Sequence, residues 1–249
     1  MSVIKDVIAS VDQKEQKAAE IKETLNLLNN YATEKAKIFE DTIDTSLRTA
    51  GTVENKTVPV TVKLASHQEI RVITKDTPDE DITSNIRDVL KDVLSGSKDE
   101  VIDGLKGLID TALRAILGTG EGDERQDSTY YIATDGLAIV RLDLMYWCRH
   151  VTASSITTYA EKSLVCTAVK SSVDVAKIDL NAFLATYNAQ LSKCQIPAEQ
   201  VKEEIKNAKD IYELLTGGPN VQATPLPFQI QECGLIKSVT NKVEGVWPA

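Results

Sequence analysis

Residues 2–48 contain neither proline nor glycine, and an apolar stripe runs through them at helical spacing. Its members recur every three or four residues: Ile4, Ile8, Val11, Ala18, Ile21, Leu25, Leu28, Ala32, Phe39 and Ile43. Charged side chains fill the intervening positions, which is the pattern of an amphipathic helix. The spacing predicts one long helix, or a helical hairpin broken near Asn29 and Asn30.

This N-terminal segment limits how the chain can bury its own surface. Unbroken, the helix would be about 70 Å long at 1.5 Å per residue, which exceeds the span of a small domain. A straight helix is therefore expected to overhang the body, so the segment either folds back as a hairpin or packs its stripe against another chain. The residues expected to form this assembly face are Ile4, Ile8, Val11, Ala18, Ile21, Leu25, Leu28 and Phe39.

After Gly51 the apolar period changes from helical to two, which indicates β-strands. Alternation over 58–64 and again over 70–74 predicts a hairpin that turns at 66–68, and Pro59 predicts an edge position for its first strand. A second pair of strands is predicted over 130–150 and 163–178, with a turn at Asp135 and Gly136 inside the first run. The acidic residues 123–127 are interpreted as a solvated turn.

Helical periodicity returns in four further segments: 79–93, 98–117, 180–191 and 197–215. Segment 98–117 has the broadest apolar face, formed by Leu105, Leu108, Ile109, Leu113 and Ile116. Two strand pairs without βαβ alternation predict an α+β fold with a mainly antiparallel sheet and flanking amphipathic helices. The expected organisation is a helical region at 1–50, an α+β core at 51–218 and an irregular tail at 219–249.

Composition and processing signals restrict the partners and the compartment. With 28 basic and 37 acidic side chains the net charge is −9, which argues against nucleic acid as a partner. The absence of a signal peptide or an 18-residue apolar run predicts a cytoplasmic protein, with release by a non-classical route left open. The cysteines Cys148, Cys166, Cys194 and Cys233 lack metal-ligand spacing. They are expected to be reduced, and the alternative is a cross-strand disulfide between Cys148 and Cys166.

No cofactor, metal or catalytic motif is recognisable, so an enzyme is the third of three hypotheses. The glycine-rich segment 118–122 follows a helix, has no lysine and is surrounded by acidic residues, so it is interpreted as a connector. Cys148 and His150 would share a strand face about 7 Å apart, too far for a nucleophile and base in hydrogen-bond contact. Arg141, Asp143 and Arg149 form a polar strand face with Trp147, which could hold a ligand, although a structural role is favoured for it. The remaining candidate for an active site lies around Arg141, Asp143 and His150.

The order of two amphipathic helices followed by long amphipathic strands, over 82–180, resembles the layout of the Cyt-type cytolysins. In that family helices wrap around a β-sheet and the protein refolds at membranes. The long N-terminal helix and the helical C-terminal half depart from the pattern. The leading hypothesis is therefore a non-enzymatic protein that associates with itself or with a protein partner through its N-terminal helix. The alternative implied by the resemblance is a pore-forming protein that inserts helices or strands from 98–178 into membrane lipid.

Overall fold

Within the residues that the structure describes, four complete α-helices and one four-stranded antiparallel sheet are present, which confirms the predicted α+β class. The computed structural model describes residues 8, 11, 18–74, 90–91, 93–94, 99–117, 124–151, 157, 159–194 and 196–217. The elements in chain order are α1 (Ala18–Thr49), β1 (Val60–Ile73), α2 (Asp99–Leu117), β2 (Glu124–Asp135), β3 (Ala138–His150), β4 (Lys162–Val173), a short 3-10 helix (Val175–Lys177), α3 (Leu180–Lys193) and α4 (Ala198–Thr216). Most of the predicted helix at 79–93 and the predicted tail at 219–249 lie outside the described residues.

The strands are arranged in the order β1-β4-β3-β2, and every neighbouring pair is antiparallel. The predicted turn between β2 and β3 is confirmed, and Gly136 occupies it with φ +61°. Glycine suits this position because side chains with a Cβ rarely adopt positive φ. The prediction that 123–127 form a solvated turn is wrong, since β2 begins at Glu124 and Asp127 is buried.

The hairpin predicted within 58–74 is also wrong, because β1 is a single strand of 14 residues. Ser66, His67 and Gln68 pair with consecutive residues of β4 instead of turning, and an irregularity in the pairing lies between Lys63 and Ala65. Polar residues are tolerated here because β1 is at the edge of the sheet and much of it is exposed.

Helix α1 is continuous through Asn29 and Asn30 and lies against one face of the sheet. The expectation that its stripe overhangs the body is wrong, and the strand lengths explain why. A helix of 32 residues is about 48 Å long, and strands of 12–14 residues are about 40–46 Å long. The sheet therefore provides a surface of nearly the same length as the helix.

Alternate residues of β3 point to the two faces of the sheet, and a different helix covers each face. Met145 and Trp147 pack in the same cluster as α1. Leu142, Leu144 and Tyr146 pack in the cluster that contains α2. Helices α3 and α4 form a third cluster that includes parts of β2, the start of β3 and the end of β4.

Candidate functional site

The stripe proposed as an assembly face is covered by the sheet of the same chain. Ile21, Leu25, Leu28 and Phe39 are buried in one cluster with sheet residues of the opposing face. The other members are Val11, which is buried, Ile8 and Ala18, which are partly buried and pack against the same cluster, and Ile4, which lies outside the described residues. In the described chain, therefore, this stripe is an internal layer.

A half-buried carboxylate, Glu124 at the start of β2, connects α1 to the sheet. Both of its oxygens accept hydrogen bonds from the Tyr31 hydroxyl at 3.0 Å, and Oε1 accepts from Trp147 Nε1 at 2.8 Å. Lys35 Nζ lies 2.8 Å from Oε1, and Arg149 Nη1 lies 3.7 Å from Oε2. We call these five residues the Glu124 cluster.

Aromatic rings and cations reinforce the Glu124 cluster. The rings of Tyr31 and Trp147 meet edge to face at 5.4 Å. Lys35 Nζ lies 5.5 Å and 6.0 Å from the centres of these two rings, and the Arg149 guanidinium lies 5.3 Å from that of Tyr31. Burial alone would raise the pKa of Glu124, but hydrogen bonds from Lys35, Trp147 and Tyr31 outweigh it and lower the pKa below its ordinary value.

Two further polar contacts connect α1 to the edge strand β1. Gln68 Nε2 donates to the Ala36 carbonyl oxygen at 3.1 Å. Lys63 Nζ lies 2.9 Å from an oxygen of Asp44 and 3.5 Å from one of Glu40. Helix α1 is therefore joined to the sheet by polar contacts near its middle and near its C-terminal end, in addition to its apolar stripe.

The face proposed as membrane-active, on α2, is also buried against the sheet. Leu105, Ile109, Leu113 and Ile116 belong to the cluster on the second sheet face, and Leu108 is partly buried beside it. Close contact with the C-terminal end of α3 requires a glycine at Gly104, because a Cβ there would lie 2.7 Å from Cys194 Cβ.

On the sheet face that α2 covers at β2 and β3, a row of polar side chains crosses all four strands. Asp127 pairs with Tyr146, Tyr146 with Cys166, and Cys166 with Glu69. Because directly paired residues point to the same side, all four belong to the face on which α2 lies. We call these four residues the polar row.

Several polar atoms on this face lack hydrogen-bond partners within the described part of the chain. They are Tyr146 Oη, Thr129 Oγ1, Arg125 Nε, His67 Nε2 and Asp110 Oδ1, the last belonging to α2 itself. Arg125 has other interactions, so only its Nε atom is unsatisfied. A buried unsatisfied polar group costs about 1–3 kcal/mol. The face under α1 is incompletely satisfied as well, since Asp143 Oδ2, Ser163 Oγ, Thr167 Oγ1 and Ser171 Oγ also lack partners within the described ranges.

Burial shifts the pKa values of acidic groups on the α2 side of the sheet. It raises the pKa of Asp127, partly offset by the Ser128 amide hydrogen bond, and it raises the pKa of Asp110, partly offset by the charges of Lys106 and Arg114. Tyr146 has its pKa raised well above the ordinary value by burial and then by the neighbouring acidic groups. In each case burial is the largest cause, because it disfavours the charged form.

The candidate catalytic residues do not converge. Arg141 donates to Asp143 Oδ1 from Nε at 3.1 Å and from Nη2 at 2.6 Å, and its Nη1 donates to Thr57 Oγ1 and to the Val58 carbonyl oxygen. By strand alternation His150 points to the opposite face of the sheet. The buried ion pair therefore joins β3 to the segment before β1, and His150 is not part of it.

The thiols of the described cysteines are free, and those of Cys148 and Cys166 are protonated. Cys148, Cys166 and Cys194 are not disulfide-bonded, so the alternative of a bond between Cys148 and Cys166 is wrong. In the strand register Cys148 pairs with Leu164, while Cys166 pairs with Tyr146. Burial raises the pKa of both Cys148 and Cys166 to about 12, so neither thiol is activated as a nucleophile.

The two edge strands of the sheet, β2 and β1, differ in what covers their outer sides. At the β2 edge, Gln190 of α3 accepts from the Ile132 amide at 2.8 Å and donates to the Ile132 carbonyl oxygen at 2.6 Å. At the β1 edge, no strand within the described ranges pairs with the outer side, and Val62 and Leu64 are 53% and 50% exposed. Pro59 predicts the edge position of β1, but the sequence patterns predict neither the Gln190 contact nor the exposure of Val62 and Leu64.

Neither a membrane span, nor a metal site, nor a related protein indicates a function for the described part of the chain. None of the helices in the described ranges is long and apolar enough to cross a membrane. Within the same ranges, no group of three or more His, Cys, Asp and Glu side chains is arranged to hold a metal ion. No protein-family model matches the chain, and neither curated proteins nor solved structures give a significant match.

Proposed function

We propose that the protein is a non-enzymatic, membrane-active protein in which α2 leaves the sheet and presents its apolar face to a lipid bilayer. The observation that carries the proposal is the contrast between the two layers: α1 is joined to the sheet by the Glu124 cluster, Gln68 and Lys63, whereas the contact of α2 with the sheet is formed by its apolar stripe. The polar contacts of α1 with the sheet are extensive by comparison. Of the two layers, α2 is therefore the one we expect to separate from the sheet at lower free-energy cost.

The chemistry of α2 is suited to a membrane interface. Leu105, Ile109, Leu113 and Ile116 form one apolar side, while Asp103 is exposed on the opposite side. An amphipathic helix of this kind binds in the plane of the interface and does not need the length of a membrane-spanning helix. The sheet beneath it has strands of 12–14 residues, which exceed the 9–11 residues of a typical membrane-spanning strand. The strands are therefore long enough to insert into the bilayer as a second step.

Dye release from liposomes tests this function with a matched pair of glycine variants. Gly104→Ala places a methyl group 2.7 Å from Cys194 Cβ, which should push α2 away from the end of α3. Gly107→Ala adds a methyl group with no atom within 4 Å, so it serves as the control. We expect wild-type protein to release dye, Gly104→Ala to release it faster, and Gly107→Ala to resemble wild type. Absence of release by all three proteins, across pH values and with both neutral and anionic lipids, contradicts the proposal.

A second candidate function is association with another copy through the outer edge of β1. Val62 and Leu64 are exposed on this edge, whereas the opposite edge is occupied by Gln190. An edge strand with exposed apolar side chains can pair with a second strand. This surface replaces the stripe of α1 as the expected contact between copies.

Light scattering on size-exclusion chromatography tests the second candidate. We expect wild-type protein to form a dimer that dissociates when Val62 and Leu64 are both changed to lysine. Leu137→Lys is the control, because Leu137 is 72% exposed at the turn between β2 and β3, away from the edge. A wild-type mass that stays monomeric at every concentration contradicts association.

A further inference from the structure

We infer that the Glu124 cluster contains a binding site for an organic ammonium group, and that Lys35 is the ligand with which this chain fills it. The site has three sides, which are the Glu124 carboxylate and the rings of Tyr31 and Trp147. We call these three residues the ammonium site. The inference is independent of the proposed membrane activity, because the site lies between α1 and the sheet, on the face opposite to α2.

The periodicity of the backbone brings the groups of this site together. Tyr31 and Lys35 are four residues apart on α1, so they lie on the same side of the helix. Trp147 and Arg149 are two residues apart on β3, so they point to the same face of the sheet, and Glu124 of β2 pairs with Arg149. The two aromatic rings therefore come from different elements, and the carboxylate comes from a third.

The ammonium group of Lys35 contacts all three sides of the site. Its Nζ lies 2.8 Å from Glu124 Oε1, 5.5 Å from the centre of the Tyr31 ring and 6.0 Å from that of Trp147. The planes of the two rings are inclined by 70°, so the rings form adjoining walls. The faces of aromatic rings attract a cation within about 6 Å, and rings placed around a cation are the arrangement that recognises quaternary ammonium ligands.

The Glu124 carboxylate supplies the charge that an ammonium ligand requires. Burial raises the pKa of Glu124, but hydrogen bonds from Lys35, Trp147 and Tyr31 lower it below its ordinary value, so the carboxylate is ionised at neutral pH. Arg149 Nη1 lies 3.7 Å from Oε2, which leaves Oε1 as the position for the ammonium group. A divalent metal ion is a poor fit, because Ca²⁺ and Mg²⁺ require several oxygen ligands and this site has a single carboxylate.

The position that Lys35 fills is at the rim of the contact between α1 and the sheet. The side chains of Lys35 and Glu124 are 18% and 13% exposed. A lysine ammonium is a compact charge on a flexible stem, so it can turn towards solvent without movement of the helix. An ammonium ion from solution then competes with Lys35, which acts as an intramolecular ligand with an effective concentration on the order of millimolar.

Chemical rescue of Lys35→Ala by tetramethylammonium chloride tests the site, with sodium chloride at equal ionic strength as the reference. In Lys35→Ala the melting temperature should rise saturably with tetramethylammonium. At about ten times the dissociation constant, the ratio of folded to unfolded protein should be about elevenfold higher than without the ligand. In the wild type the half-saturating concentration should be at least about tenfold higher, because Lys35 competes.

Lys170→Ala is the matched control for this rescue. Lys170 forms an ion pair with Asp135, and the two side chains are 11% and 12% exposed, close to the values for Lys35 and Glu124. Within the described ranges, however, Lys170 lies over no aromatic ring. Tetramethylammonium and sodium should therefore have the same effect on Lys170→Ala.

Two further variants connect the rescue to the carboxylate. Adding Glu124→Gln to Lys35→Ala should abolish the preference for tetramethylammonium, because the charge of the site is removed. Lys35→Gln retains a donor for Glu124 and is measured as well, so that the test stands if Lys35→Ala does not fold, and it should show a smaller preference of the same sign. Equal effects of the two salts on both Lys35 variants, a rescue that persists with Glu124→Gln, or an equal rescue of Lys170→Ala would overturn the inference.

Choline and lipid vesicles separate two sources of an ammonium group. Rescue of Lys35→Ala by choline in solution identifies a small soluble cation as the ligand. Sedimentation of this variant with phosphatidylcholine vesicles, and not with phosphatidylglycerol vesicles, identifies a lipid headgroup. Either response supports an ammonium ligand, and the absence of both contradicts it.

Discussion

The side-chain amide of Gln190 forms two hydrogen bonds with the backbone of Ile132, one to its N–H and one to its carbonyl oxygen. A strand neighbour would make the same pair of contacts, so this side chain completes the outer edge of β2. Both groups are buried, and their hydrogen-bonding capacity would otherwise be lost from the sheet edge.

Replacing Gln190 by alanine should destabilise the protein by about 2–6 kcal/mol, because two buried backbone groups lose their partners at about 1–3 kcal/mol each. Urea unfolding followed by circular dichroism gives the change in free energy of unfolding. Gln190→Glu should also be destabilising, since its carboxylate can accept from the Ile132 amide but cannot donate to the carbonyl. A loss below about 0.5 kcal/mol for both variants contradicts this role.

The two glycines of α2 should respond oppositely to alanine. At Gly104 the added methyl group meets Cys194, and overpacking of this kind costs about 1–3 kcal/mol. At Gly107 the site is open, and alanine should stabilise the helix by up to about 1 kcal/mol. Thermal unfolding of the two variants checks the difference, and equal melting temperatures would show that Gly104 is not in close contact.

Arg141 should be far more costly to remove alone than together with its partner. Arg141→Met leaves Asp143 buried without its cation, which is expected to cost about 3–5 kcal/mol. The double variant Arg141→Met with Asp143→Leu removes the unpaired charge and should recover much of that loss. A double-mutant cycle by urea unfolding measures the coupling. Additive single losses would contradict a paired role.

The Cys148 thiol should react slowly in the folded protein. Its pKa of about 12 lies 12 − 9 = 3 units above the ordinary value of 9.0, so the thiolate fraction at pH 8 falls about a thousandfold. Alkylation monitored by peptide mass spectrometry should modify Cys148 much more slowly without denaturant than with it. Comparable rates in the two conditions would mean that the β3 layer opens freely.

Local patterns predicted much of the fold. The strand at β3, the turn at Gly136, the stripe of α2 and the helix over 197–215 are confirmed, because each depends on neighbouring residues in sequence. The hairpin predicted within β1 failed because its polar centre is stabilised by pairing with β4, a partner about 100 residues away. The position of β1 at the edge of the sheet therefore outweighs the turn propensity of residues 66–68.

Whether α1 can be buried depends on the length of the strands beneath it, and the pattern within the helix gives no information on that length. Its stripe was correctly recognised, but the covering surface is a sheet whose strands are nearly as long as the helix. The predicted overhang of this stripe depends on reading 58–74 as two short strands, and contact with another chain stays a prediction. One 14-residue strand doubles the length of that edge.

The Glu124 cluster was missed, although the sequence contains a signal for it. Extending the hairpin register back from the turn at Gly136 places Glu124 opposite Arg149, a pair of opposite charges. The acidic composition of 123–127 suggested a solvated turn instead. The contributions of Tyr31 and Lys35 could not be foreseen, because they depend on how α1 lies across the sheet.

The most direct test of membrane activity is hydrogen exchange of the full chain with and without lipid vesicles. We predict that vesicles reduce the protection of α2 while α3 keeps its protection. The pattern should be stronger in Gly104→Ala than in wild type. Vesicle binding that leaves the protection of α2 unchanged, or no binding at all, would contradict the account.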